Sequence, residues 1–166
     1  MPTARHSLRL PHYNYSQGGA YFITLCADQR RCLFGEVVNG EMALGHWGRV
    51  VAEQWLLSEQ MRAEISLDYW VIMPNHFHGI VHIENGEASE GTARTRLQAR
   101  SLGALVAGFK AAVTRQINQL GGTSGVKVWQ RNYWERVVRD EQELTALREY
   151  IQNNPARWQL DKLFVG

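Results

Sequence analysis

The stretch 69–84, YWVIMPNHFHGIVHIE, reads as two strands joined at Pro74-Asn75, with histidines crowded into the second. Successive strand side chains point to opposite faces, so His76, His78 and His82 share one face with Ile80. Phe77, Gly79, Val81 and Ile83 share the other. One face therefore reads as core and the other carries imidazoles. A lone histidine there would face solvent or satisfy a buried carbonyl. Two at i and i+2 can bring their nitrogens to one point, which is a reason to ask what else could join them. Pro74 cannot take the positive φ of a type I′ turn, so a type I turn or a slightly longer connection is expected.

Working outward, GGAYFITLCA (18–27) follows two glycines and is rich in aromatic and β-branched residues, which predicts a strand. LFGEVVNGEMAL (33–44) holds Asn39-Gly40 between short apolar runs, a hairpin signal. From Trp47 to Met61, the positions Val50, Val51, Gln54, Trp55 and Ser58 follow helical spacing. NGEASEGTARTR (85–96) is small, polar and charged, hence a loop, taken as 85–100. Ser101 caps a helix whose stripe is Leu102, Leu105, Val106, Phe109, Val113 and Ile117, ending at Gly121-Gly122. VWQRNYWERVVR (128–139) leads into a short strand, and Asp140 with Glu143 starts a last helix that Pro155 stops. The order β, small hairpin, α, β, β, α, β, α predicts an α+β fold. It would be a ferredoxin-like sandwich of one antiparallel sheet with helices packed on it, plus a small N-terminal hairpin, in a single domain spanning 1–166 behind a basic arm at 1–17.

The chain has 166 residues, 45% of them apolar and 20% charged, ordinary for one globular core. No apolar run approaches the roughly 20 residues needed to span a bilayer, and the basic N-terminus lacks a signal-peptide core. A cytoplasmic protein without a membrane partner is expected. Cys26 and Cys32 match neither a zinc spacing nor a disulfide framework and read as buried thiols. The net charge of +2 identifies no partner, but its distribution is uneven. Between Gly91 and Trp134 there is no acidic residue, while Arg94, Arg96, Arg100, Lys110, Arg115, Lys127 and Arg131 all fall there. Such segregation fits a polyanion footprint, and equally a solvated helix face with a loop.

The last helix contains LREYIQNNPARW (147–158), with Leu144, Leu147 and Ile151 as its packing stripe. Tyr150 and Asn154 are four apart and project from one face. Two imidazoles and an amide oxygen could hold a divalent cation that polarises a phosphate, and a phenol beside them could attack phosphorus. An unperturbed tyrosine, with a pKa of about 10, needs a nearby metal or base to do so at neutral pH.

MPNHFHGIV resembles the His-hydrophobe-His motif of the HUH nucleases. GGAYFIT, WQRNYWERVVRD and YIQNNP are similar to segments of the REP-associated tyrosine transposases, the domesticated bacterial branch of the single-tyrosine transposases in that group. The resemblance runs in order from about Tyr15 to about Trp158. It implies His76 and His78 as metal ligands, Tyr150 as nucleophile, and Asn154 as third ligand where insertion-sequence relatives place a glutamine. His82 has no counterpart and reads as a structural residue or one that supports the metal ligands from behind.

The same resemblance implies a transposase that cleaves and rejoins single-stranded hairpin DNA through a 5′-phosphotyrosine, with Mg²⁺ or Mn²⁺, as a monomer in preference to the homodimer of insertion-sequence relatives. A place at the nucleoid is expected for a cytoplasmic DNA-binding protein. Arg94, Arg96, Arg100, Lys110, Arg115 and Arg131 are the candidate phosphate contacts. Tyr13, Tyr15, Trp129 and Tyr133 are candidate base-stacking planes, with core packing as the alternative for each. Two other functions fit the residues. One is a metal-dependent hydrolase with no covalent intermediate, and the other is a non-catalytic nucleic-acid binding module.

Overall fold

The computed structural model describes residues 19–84 and 101–166. The basic arm, the 85–100 loop, and with them Tyr13, Tyr15, Arg94, Arg96 and Arg100, lie outside the described residues.

Strand β1 (Gly19–Cys26) leads through a 3₁₀ turn to a hairpin of β2 (Gly35–Val38) and β3 (Glu41–Leu44). Asn39 and Gly40 both have positive φ, 52° and 76°, the type I′ geometry that such a pair favours. Helix α1 (His46–Met61) follows, then β4 (Ile65–Met73) and β5 (His76–Ile83). Met73 pairs with His76, so Pro74-Asn75 is a two-residue connection, and neither residue has positive φ. After the 85–100 span come α2 (Leu102–Leu120), β6 (Trp134–Val138) and α3 (Glu141–Asn153), with a 3₁₀ segment Pro155–Leu160 closing the chain.

The four long strands form one sheet in the order β4-β5-β1-β6, antiparallel throughout. With β2 and β3 set apart in their own two-stranded sheet, this is the βαββαβ order expected of a ferredoxin-like sandwich. Alternation along the two central strands divides the molecule into two cores. Tyr21, Ile23, Leu25, Phe77, Val81 and Ile83 meet Val50, Val51 and Trp55 of α1 and the apolar stripe of α2. Trp55 sits edge-on to Phe77 at 4.8 Å and to Phe109 at 5.1 Å. Gly79 makes room for that cluster, since a Cβ there would lie 2.9 Å from the Phe77 ring.

On the opposite face, Ile80 meets Leu144 and Ile151 of α3, flanked by Phe22, Val71, Val138 and Leu147. The imidazole face is therefore a second, smaller core rather than an open surface, because α3 and the C-terminal 3₁₀ segment cover it. Asp140 caps α3 by accepting from the Glu143 N–H at 2.7 Å, and Glu143 in turn accepts from the Arg139 N–H at 2.8 Å. Of the cysteines, Cys26 is buried as expected, whereas Cys32 is exposed because it follows the 3₁₀ turn outside the sheet.

Candidate active site

His76 and His78 lie on a central strand, 0% and 4% exposed, with ring centroids 4.6 Å apart. Each ring is oriented through Nδ1. The Asn75 amide nitrogen donates to the Leu163 carbonyl at 2.8 Å and the Arg30 carbonyl at 3.3 Å, which turns its Oδ1 toward His76. The His76 Nδ1–H donates to that oxygen at 2.8 Å. The Thr24 hydroxyl lies 2.7 Å from His78 Nδ1, and Thr24 is the direct cross-strand partner of His78. At His76 this makes Nδ1 the protonated nitrogen and leaves Nε2 as a lone pair. At His78 the Thr24 hydroxyl can accept from Nδ1–H and so allows the same arrangement, the one that outer hydrogen bonds give metal-binding histidines.

Both Nε2 atoms are sealed from solvent and make no hydrogen bond, and Asn154 Oδ1 is in the same condition. An unpaired buried acceptor costs on the order of 1–3 kcal/mol, which a bound cation would offset. Lone pairs on two imidazoles and an amide oxygen suit a divalent cation of the Mn²⁺ type. The residues present therefore fit a divalent metal ion. Asp161, from the C-terminal segment, joins them: its carboxylate and the two imidazoles bring ligand atoms within 4.8 Å of one another. This cluster could hold a metal ion.

Burial pushes the His76 imidazole down to about 4, with Asp161 and Asn154 opposing. Burial holds His78 well below its ordinary value, and neighbouring His76 adds to the effect. Both rings are neutral at pH 7, as ligation requires.

Tyr150 is 47% exposed, with its ring edge-on to His78 at 5.3 Å and to Phe22 at 6.2 Å. Partial burial raises the phenol above its usual pKa; Asn154 opposes the shift and the Asp161 carboxylate adds to it. Asn154 stands beside both Tyr150 and His76. Although Pro155 follows it, Asn154 keeps helical geometry, φ −59° and ψ −46°. One face of α3 thus carries the phenol and the amide to the two imidazoles.

His82 stands apart from the pair. Its Nε2–H donates to Asp68 Oδ2 at 2.7 Å. Arg148 of α3 grips the same carboxylate through Nε at 2.9 Å and Nη2 at 2.6 Å. The contact joins α3 to a bulge between Leu67 and Trp70 in β4.

The other sequence candidates are dispersed. The Lys110 ammonium donates to the Gln130 carbonyl at 2.6 Å and is partly buried, so it locks α2 to the segment before β6. Arg115 is exposed on α2, the layer on the far side of the sheet from the imidazoles, and Arg131 is exposed in the segment before β6. Trp129 is a core residue, 5% exposed, and the Tyr133 ring packs on the same core while its hydroxyl donates to Glu135 at 3.1 Å.

Three site residues were missed from sequence: Thr24, Asn75 and Asp161. A lone hydroxyl in the apolar run YFITLC and an amide directly before His76 were available signals. Asp161 had none, because only the chain's return over the sheet brings it in.

No family model matches the chain. An uncharacterized protein of Haemophilus influenzae (strain ATCC 51907 / DSM 11121 / KW20 / Rd) is 40% identical over 172 residues, covering 97% of this chain and 93% of that one. The chain belongs to one family with that protein. Its structure is similar to that of a REP-associated tyrosine transposase bound to a REP hairpin, with a TM-score of 0.60 at 18% identity over 90% of this chain and 74% of the other. The fold is therefore transposase-like.

Proposed function

We propose that this protein cuts and rejoins single-stranded DNA in the manner of a REP-associated tyrosine transposase, with Tyr150 as nucleophile and hairpin DNA as substrate. One observation carries the reading: a half-exposed phenol packs on His78, and His78 and the adjacent His76 are buried with Nε2 atoms that make no hydrogen bond.

His76, His78 and Asn154 would hold Mg²⁺ or Mn²⁺, which when bound draws charge from the scissile phosphate. The Tyr150 oxygen gives up its proton and forms a bond to phosphorus, and the bond from phosphorus to the 3′-oxygen breaks. The products are a 5′-phosphotyrosine and a 3′-hydroxyl. Attack by a second 3′-hydroxyl reverses the step and rejoins the strand, so no outside energy source is needed. Helix α3 gives the phenol a rigid support, and the exposure of Tyr150 suits a polymeric substrate. Arg94, Arg96, Arg100, Arg115 and Arg131 are proposed phosphate contacts; Lys110 is withdrawn from that role by its bond to Gln130. A monomer acting on DNA in the cytoplasm completes the reading.

The test is incubation with an end-labelled single-stranded hairpin and Mn²⁺, followed by a denaturing gel. A labelled band at the mass of the protein is expected, and mass spectrometry should locate the link at Tyr150. Cut DNA with no such band would mean hydrolysis instead. Binding without any cut would mean a non-catalytic module.

A further inference from the structure

We propose that Asp161 is the anionic ligand of the cation held by His76 and His78, so that the C-terminal segment is part of the metal centre. The inference rests on the metal-dependent reading above and adds to it a residue from outside the His-x-His strand and the Tyr150 helix.

The argument begins with lone pairs. The Asn75 amide is committed as a donor to two carbonyls, so its oxygen must accept the His76 Nδ1–H. The neutral His76 ring then points the Nε2 lone pair at Asp161 Oδ2, 3.6 Å away. That distance is too long for a hydrogen bond. A lone pair facing a carboxylate oxygen across a gap, both nearly sealed from solvent, is repulsive unless a positive centre lies between them. His78 Nε2 is the third atom of the same group.

The carboxylate is held in place independently of any cation. Its Oδ1 accepts from the Leu163 N–H at 2.8 Å, and the Leu163 carbonyl receives the Asn75 amide. The segment is seated further by Trp158, whose ring lies 5.9 Å from His76 and 5.2 Å from Phe164. The residue that orients His76 thus also docks the segment that carries Asp161. A mixed imidazole and carboxylate set lowers the net charge of the occupied centre and is harder than imidazoles with an amide alone. It therefore favours Mn²⁺ or Mg²⁺ over softer ions.

Asp161→Asn tests this, because the amide keeps the Oδ1 acceptor for Leu163 and removes the charge. Mn²⁺ binding to the full chain would be followed by electron paramagnetic resonance of the free ion. Wild type should bind one Mn²⁺, and Asp161→Asn should bind at least about tenfold more weakly, given that even outer partners of metal ligands cost 10–100-fold. The thermal midpoint in EDTA should be close to wild type, and Mn²⁺ should raise it less than in wild type. Equal or tighter Mn²⁺ binding by Asp161→Asn would overturn the assignment and make Asp161 an ion-pair partner of a protonated His76. If wild type bound no Mn²⁺, or if His76→Ala and His78→Ala bound it as wild type does, the metal-dependent reading itself would fail and the assignment with it.

Discussion

Thr24 and His78 face each other across the β1–β5 ladder, with the hydroxyl 2.7 Å from Nδ1. The hydroxyl can accept from the Nδ1–H, and in that tautomer Nε2 is a free lone pair. Thr24→Val keeps the shape and removes the hydroxyl. We expect Mn²⁺ affinity and strand cleavage to fall about 10–100-fold while the fold persists, and Thr24→Ser to recover most of the loss. A Val variant that binds Mn²⁺ like wild type would leave the hydroxyl without a role at the site.

Tyr150→Phe removes one half-exposed oxygen. Stability should change by less than about 0.5 kcal/mol, the range for surface positions, and DNA affinity should hold. Cleavage and the covalent adduct should both vanish. Should an adduct persist, peptide mapping would identify the true nucleophile; Tyr133 is disfavoured because its ring packs on the core and its hydroxyl donates to Glu135.

The two faces of β5 predict opposite phenotypes for neighbouring residues. Phe77→Ala empties a fully buried ring site against Trp55, Trp70 and Phe109 and should cost about 3–5 kcal/mol in urea unfolding. Its cleavage activity should survive wherever the variant is folded. A stable Phe77→Ala protein with no activity would reverse the assignment of faces.

Acid should loosen α3 through Asp68. The Arg148 guanidinium holds this carboxyl well below the usual carboxylate range, aided by His82 and the Tyr69 N–H against the cost of burial. A depressed folded-state pKa contributes stability that is fully present above the unfolded value, about 3.9, and is lost progressively as pH falls below it toward and through the folded-state value. Arg148→Met should therefore be less stable than wild type at pH 7, with the two thermal-midpoint curves converging from about pH 5 downward. Curves that stay parallel down to pH 2 would show that the pair contributes no acid sensitivity.

The local rules in the sequence carried most of the fold. Asn39-Gly40 specifies its hairpin because both residues tolerate positive φ, Ser101 and Asp140 cap their helices, and period-2 alternation separates Phe77, Val81 and Ile83 from the histidines. These features depend on residues within a few positions of one another, so one chain suffices to read them. The pairing of Tyr150 with Asn154 follows in the same way from helical spacing, and His76 with His78 from strand spacing.

What holds those pairs to one point is not local. Burial of the imidazole face required α3 and the C-terminal segment to close over it, a packing event between residues some 80 positions apart in the chain. Asp161 reaches the imidazoles only through that closure, and Asn75 is turned by the Leu163 carbonyl that comes with it. Thr24 meets His78 through strand pairing, and the Lys110 ammonium meets a carbonyl that the fold brings beside it. His82, three residues from Gly79 on the same strand, is turned to the Asp68 carboxylate that Arg148 also grips, rather than to His78. The sequence by itself determined which side chains share a face, since backbone geometry sets the period. Only the tertiary structure decided which lone pairs remain unpaired inside, because that depends on every donor and acceptor that packing brings within about 3 Å.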